Sequence, residues 1–139
     1  MTPTTSPSVL VVEDDADLRQ TIKESLEAAG FAAAQAVDAA DAIERLKAYA
    51  YDAMVVDLML PDASGMEVLE EAVARYPQLP VVVITGFGGV EEAVKAMKRG
   101  AIDFLIKPFQ LVGLARVLQA AVDQRRLREE NAELPVQLR

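Results

Sequence analysis

Met54-Val55-Val56-Asp57-Leu58-Met59-Leu60-Pro61-Asp62 is a short apolar run closed by an acid and followed by a proline-marked turn. Three other segments share this form. Val9-Leu10-Val11-Val12 leads into Glu13-Asp14-Asp15, Val81-Val82-Val83-Ile84 into Thr85-Gly86, and Phe104-Leu105-Ile106 into Lys107-Pro108. Such runs, rich in Val and Ile and bounded by turn residues, are the pattern of strands buried on both faces. In a parallel sheet their carboxyl ends meet on one edge, where open α/β folds bind ligands. The run ends therefore predict an edge that gathers acids, a hydroxyl and an amine.

Between the runs the period becomes helical. Leu18, Ile22 and Leu26 recur every four residues until Gly30 stops the helix. Ala39, Ile43, Leu46 and Ala50 mark a second helix with Asp38 as its N-cap. Ser64-Gly65-Met66-Glu67 has the form of a capping box and opens a third helix, with Leu69, Val73 and Tyr76 facing inward. A fourth runs from Val90 through Val94 and Met97 to Gly100, and a fifth from Leu111 through Leu114, Val117, Leu118, Ala121 and Val122. Residues 31–37 are alanine-rich and favour helix by propensity, but their place between two capped helices predicts a strand. Five βα units give a doubly wound α/β fold with a five-stranded parallel sheet. The predicted organisation is a disordered tail over 1–7, one domain over 8–122, and a helical linker over 123–139 that Pro135 ends.

Composition narrows the chemistry. The 139 residues contain no cysteine and no histidine, which excludes disulfides, thiol catalysis and imidazole catalysis. No apolar stretch approaches a membrane span, and Met1 to Ser8 lacks the form of a signal peptide, so a cytoplasmic setting is expected. The net charge is −8; residues 1–115 carry −9, and the remainder is +1. No basic face could neutralise a row of nucleic-acid phosphates, so direct nucleic-acid binding is not expected.

Singly, each polar strand end has a plain explanation. Asp14 or Asp57 could be a solvated turn, Asp15 and Asp17 could favour a helix dipole, Thr85 could bond backbone, and Lys107 could be an exposed amine. Together they point elsewhere. Glu13, Asp14 and Asp57 on adjacent strands would repel one another unless a cation or proton compensates. All-oxygen ligation points to magnesium. Asp57 could then act as a nucleophile toward a phosphoryl group, with Lys107 and the Thr85 hydroxyl serving phosphoryl oxygens and Gly86 leaving space.

The motifs Val-Val-Glu-Asp-Asp (11–15), Val-Val-Asp-Leu-Met-Leu-Pro-Asp-Ala-Ser-Gly (55–65), Val-Ile-Thr-Gly (83–86) and Asp-Phe-Leu-Ile-Lys-Pro-Phe (103–109) together resemble the receiver domain of two-component response regulators. The resemblance covers residues 8–122. It implies a flavodoxin-like (βα)5 fold with strand order 2-1-3-4-5. It also implies that Asp57 accepts phosphoryl from the phosphohistidine of a cognate sensor kinase. Glu13, Asp14, Asp57 and the backbone carbonyl of Met59 would surround Mg2+. Thr85 and Phe104 would form a switch pair, Pro108 would follow a cis peptide bond, and the fourth helix, fifth strand and fifth helix would be the output face. Residues 85–97 and 100–109 are further similar to receivers of sigma-54-dependent transcription activators of the nitrogen-regulation and dicarboxylate-transport types. Those carry downstream ATPase and DNA-binding domains that are absent from this chain.

Rival functions make different demands on these positions. A small Mg-dependent phosphatase with an aspartyl nucleophile often has a second Asp two residues on, where this chain has Met59. A flavodoxin-like electron carrier needs a phosphate loop after the first strand, where Glu13-Asp14-Asp15 would repel phosphate. A phosphorylation-independent interaction module would not need the acidic set. The expectation is a phosphoacceptor signalling domain and not a turnover enzyme. A homodimer is also expected if Val117, Gln124, Leu127, Asn131 and Leu134 form a heptad seam.

Overall fold

The computed structural model describes residues 6–86 and 89–133, with the side chains of 131–133 excluded. Elements alternate strictly. They are β1 (Ser8–Val12), α1 (Ala16–Ala28), β2 (Ala32–Ala36), α2 (Ala39–Ala48), β3 (Ala53–Asp57), α3 (Gly65–Arg75), β4 (Val81–Thr85), α4 (Val90–Lys98), β5 (Asp103–Ile106) and α5 (Leu111–Glu133). The strands form one parallel sheet in the order β2-β1-β3-β4-β5, the fold expected.

Alternation along each strand divides the core in two. Leu10, Val12, Met54, Val56, Val81 and Val83 face α2 and α3, where Leu46 and Leu69 are fully buried. Val9, Val11, Val55, Val82 and Ile84 face α1 and α5, packing on Ile22, Leu26, Leu114 and Leu118. The alanine-rich segment is strand because Ala32 to Ala36 pairs residue by residue with Ser8 to Val12, and that backbone ladder overrides a weak helical preference. Pro7 is buried and its carbonyl accepts from Ala32 N at 2.9 Å, so the domain's first contact precedes residue 8.

Several expected faces differ in detail. In α2 the buried residues are Ala39, Ala42 and Leu46; Ile43 is half-buried, and Ala50 lies exposed beyond the helix. Ser64 Oγ accepts from Met66 N at 3.1 Å, one residue earlier than a capping box requires. In α4 the periodic apolar residues Val90, Val94 and Met97 face outward, with Val90 78% exposed, while Ala96 is the buried one. The helix period was right, but its apolar stripe is not the core face. In α5, Val117 is half-buried and packs against the α1-side core. Leu127 is exposed; Leu134, Pro135 and the Asn131 side chain lie outside the described residues.

Candidate phosphoacceptor site

The acidic edge forms where β1 and β3 lie side by side, with Val12 opposite Val56. One residue further, each strand delivers a carboxylate. Glu13 is wholly buried, Asp57 is 2% exposed, and Asp14 faces solvent. Carboxylate oxygens of all three lie within 4.8 Å of one another. Lys107, just past β5, reaches across the sheet edge, placing Nζ 2.6 Å from Asp57 Oδ2 and 2.9 Å from Glu13 Oε1. Met59 N donates to Asp57 Oδ1 at 2.8 Å, which fixes the carboxylate at both oxygens. These groups border a cleft of about 470 Å³ that Gly86 also lines.

One oxygen in this cluster is poorly served. Glu13 Oε2 accepts from Asp15 N at 3.1 Å. Glu13 Oε1 is buried and has the Lys107 charge near it, but out of line for a hydrogen bond. Burial accordingly pushes the Glu13 carboxyl up to about 7; Lys107 and the Asp15 N–H only partly oppose this, and Asp57 adds to it. Burial pulls Lys107 down, but Asp57 and Glu13 outweigh it and leave the ammonium above its ordinary value. Three carboxylates against one ammonium, with one buried oxygen lacking a directed donor, suit a hard divalent cation with oxygen ligands. The donor set therefore fits magnesium.

The remaining expected residues lie on β4, on β5 and in the segments that follow them. Thr85 ends β4 with its side chain buried, and its carbonyl accepts from Lys107 N at 2.7 Å. Phe104 is half-buried against the α3-side core, opposite Val83 in register. The Lys107–Pro108 bond is cis. A Cβ added at Gly86 would meet only Lys107 Cδ, at 4.0 Å. Phe87, two residues past Thr85, lies outside the described residues.

Three contributors were not legible from strand-end chemistry. Gly65 sits buried against the backbone under Asp57: a Cβ there would overlap the Asp57 carbonyl oxygen and lie 2.8 Å from Leu58 Cα. Its N–H donates to Leu58 O at 2.9 Å, closing the loop that holds Met59. The sequence hint was a glycine in a helix's first turn, where other residues serve better. Asp62 accepts from Ala39 N and Ala40 N, both at 2.9 Å, and so pins that loop to the start of α2. Those two N–H donors hold the Asp62 carboxyl below its ordinary value. Arg19, one turn into α1, donates to the Glu13 carbonyl at 2.8 Å.

A doubly wound sheet of this order, with an acidic cluster and a lysine at its carboxyl edge, defines a signalling domain of the receiver class. Residues 9–119 match the response regulator receiver domain, and the chain belongs to that family. It is 35% identical over 129 residues to the C4-dicarboxylate transport transcriptional regulatory protein DctD of Rhizobium meliloti, covering 93% of this chain and 28% of that protein. It is 36% identical over 128 residues to the nitrogen assimilation regulatory protein NtrX of Azorhizobium caulinodans, covering 91% and 28%. The chain thus spans little more than a quarter of these relatives. Among solved structures, NtrX from Brucella abortus in complex with ATP superposes with a TM-score of 0.86 at 33% identity, over 96% of this chain and 31% of that one. A response regulator receiver domain protein from Clostridium thermocellum gives 0.82 at 28% identity, over 87% and 98%. The expected similarity to nitrogen-regulation and dicarboxylate-transport receivers agrees with these relatives, and family membership removes the phosphatase and electron-carrier readings. Among the described residues no helix is long and apolar enough to cross a membrane.

Proposed function

We propose that this chain is the phosphoacceptor module of a two-component transcriptional regulator, with Asp57 as the acceptor. The observation that carries this is the placement of Asp57. It is buried at a strand end with both oxygens held, beside two further carboxylates and one ammonium. A carboxylate oxygen of Asp57 attacks the phosphorus of a phosphohistidine on a sensor kinase. The O–P bond forms as the P–N bond breaks, the electron pair leaves on the imidazole nitrogen, and an acyl phosphate remains.

Glu13, Asp14, Asp57 and the Met59 carbonyl would hold Mg2+, which when bound supplies positive charge for a phosphoryl oxygen and screens the approach of two anions. Lys107, already on Asp57, passes to a second phosphoryl oxygen. The Thr85 hydroxyl serves the third. Its inward movement leaves room that Phe104 fills, which shifts α4, β5 and the start of α5. The outward apolar residues Val90, Val94, Met97, Ile106 and Val112 lie on those elements and suit an output surface. Downstream ATPase and DNA-binding domains, a homodimer partner and a cytoplasmic setting belong to the same reading.

The test is intact-mass measurement after incubation with acetyl phosphate and magnesium. The wild type gains one phosphoryl group, Asp57→Asn gains none, and omission of magnesium abolishes the gain. Equal loading of Asp57→Asn would remove Asp57 from this role, whereas a wild type that gains no phosphoryl group would favour a phosphorylation-independent module.

A further inference from the structure

Arg19 is a half-buried cation beside a predominantly acidic loop, yet it makes no ion pair with any of that loop's carboxylates among the described residues. Its guanidinium is spent on neutral oxygens. Nη1 donates to the Glu13 carbonyl at 2.8 Å and approaches the Asp14 carbonyl at 3.4 Å, while Nε donates to Gln35 Oε1 at 3.0 Å. Gln35 is the one residue of β2 that is not alanine. The last residue of β2 also takes part, since Ala36 O accepts from Glu13 N at 3.1 Å.

The peptide geometry gives these contacts a direction. Carbonyl and N–H point to opposite sides of a trans peptide. When Arg19 draws the Asp14 carbonyl outward, the N–H of the same peptide, that of Asp15, is turned inward. That N–H is the donor to Glu13 Oε2. Fixing Oε2 leaves Oε1 facing Lys107 and the acidic cluster. The Asp14–Asp15 peptide thus links Arg19 on one side to Glu13 Oε2 on the other.

We propose that Arg19, braced by Gln35, is a positioning residue for the divalent-cation site: it orients the 13–15 backbone so that Glu13 and Asp14 present their carboxylates together. This rests on the magnesium reading above. Simple electrostatics predicts the opposite sign, because removing a cation near a cation site strengthens binding of the second cation. Loss of outer-sphere orientation typically weakens metal binding 10- to 100-fold.

The experiment is calorimetric Mg2+ titration of wild type, Arg19→Lys, Arg19→Met and Gln35→Leu, with Asp15 amide shifts and thermal midpoints recorded in EDTA. Arg19→Lys keeps the charge but loses the planar fork that spans two carbonyls and an amide. The expected result is about tenfold weaker binding for Arg19→Lys and Arg19→Met, a smaller loss for Gln35→Leu, and a moved Asp15 amide in the metal-free variants. Wild-type affinity in Arg19→Lys, or tighter binding in Arg19→Met, overturns the proposal. So does a loss of affinity no greater than the loss of folded protein. A wild type that binds no magnesium instead overturns the underlying metal reading. Should Arg19→Met fail to fold, Arg19→Lys and Gln35→Leu decide alone.

Discussion

At the scale of single residues, the tightest constraint on the site comes from a side chain that is missing. Gly65 opens α3, where alanine would ordinarily favour helix, but a Cβ there overlaps the carbonyl of Asp57. Gly65→Ala should lower stability by about 2 kcal/mol or more despite its better propensity. Gly113→Ala in α5, where an added Cβ meets nothing within 4 Å, should raise it by about 0.5–1 kcal/mol. Urea unfolding of the two variants checks the opposite signs. Such a close approach joins segments across a loop, so no local pattern announces it. Arg19 was hidden for a related reason: a charged residue at a helix start reads as solvated until its acceptors are seen. Met59 was legible, and it is 56% exposed at the rim of the acidic cleft. Its apolar side chain can exclude water but cannot orient it. Met59→Asn should therefore shorten the lifetime of the acyl phosphate severalfold, followed by decay of the phosphoprotein mass; an unchanged decay would mean that Met59 gates nothing.

Among the elements, β1, β3 and β4 announced themselves through unbroken, Val-rich apolar runs because both faces of a central strand are buried. Edge strand β2 was harder, since five residues containing four alanines reveal their state only through pairing with β1. α4 shows the limit of periodicity, which identifies a helix but not which side of it is covered. Val94→Ser with Met97→Ser should cost little stability, within about 0.5 kcal/mol, because both side chains already meet solvent. Thermal unfolding beside wild type is the check. α5 runs without a break to Glu133, and among the described side chains Val122 is its last fully covered one. Arg125 lies within 3.4–3.5 Å of the Tyr51 and Asp52 carbonyls, so the first turn beyond the domain is still tied to it. Val117 already packs in part against the domain's own core, so a seam with a second chain would rest chiefly on Gln124 and the positions after it. Sedimentation of the whole chain should rise with concentration, and a chain ending at residue 122 should remain monomeric. Identical monomers would end the dimer reading.

For the whole molecule, charge and stability are linked through the buried acid. In the metal-free protein the Glu13 carboxyl is raised to about 7 by burial, so the folded state holds a proton that the unfolded chain releases near its ordinary value of 4.5. The folded form therefore binds more protons between these limits. Stability from this group is complete below about 4.5 and is lost as pH rises through 7. Unfolding in EDTA should show stability falling over that window, and Glu13→Gln should flatten the fall. On the proposed magnesium reading the ion needs the Glu13 carboxylate, so its affinity should rise over the same window as a proton is displaced. The inverted apolar face of α4 has a dynamic counterpart. A nine-residue helix whose one fully buried residue is Ala96, and whose N-cap Gly89 offers no side-chain bond, belongs to the least protected part of the fold. Its amides should exchange with solvent well before those of α1 or β3. An element so loosely held can be redistributed by contacts at a single distant carboxylate, without disturbing the sheet that carries it.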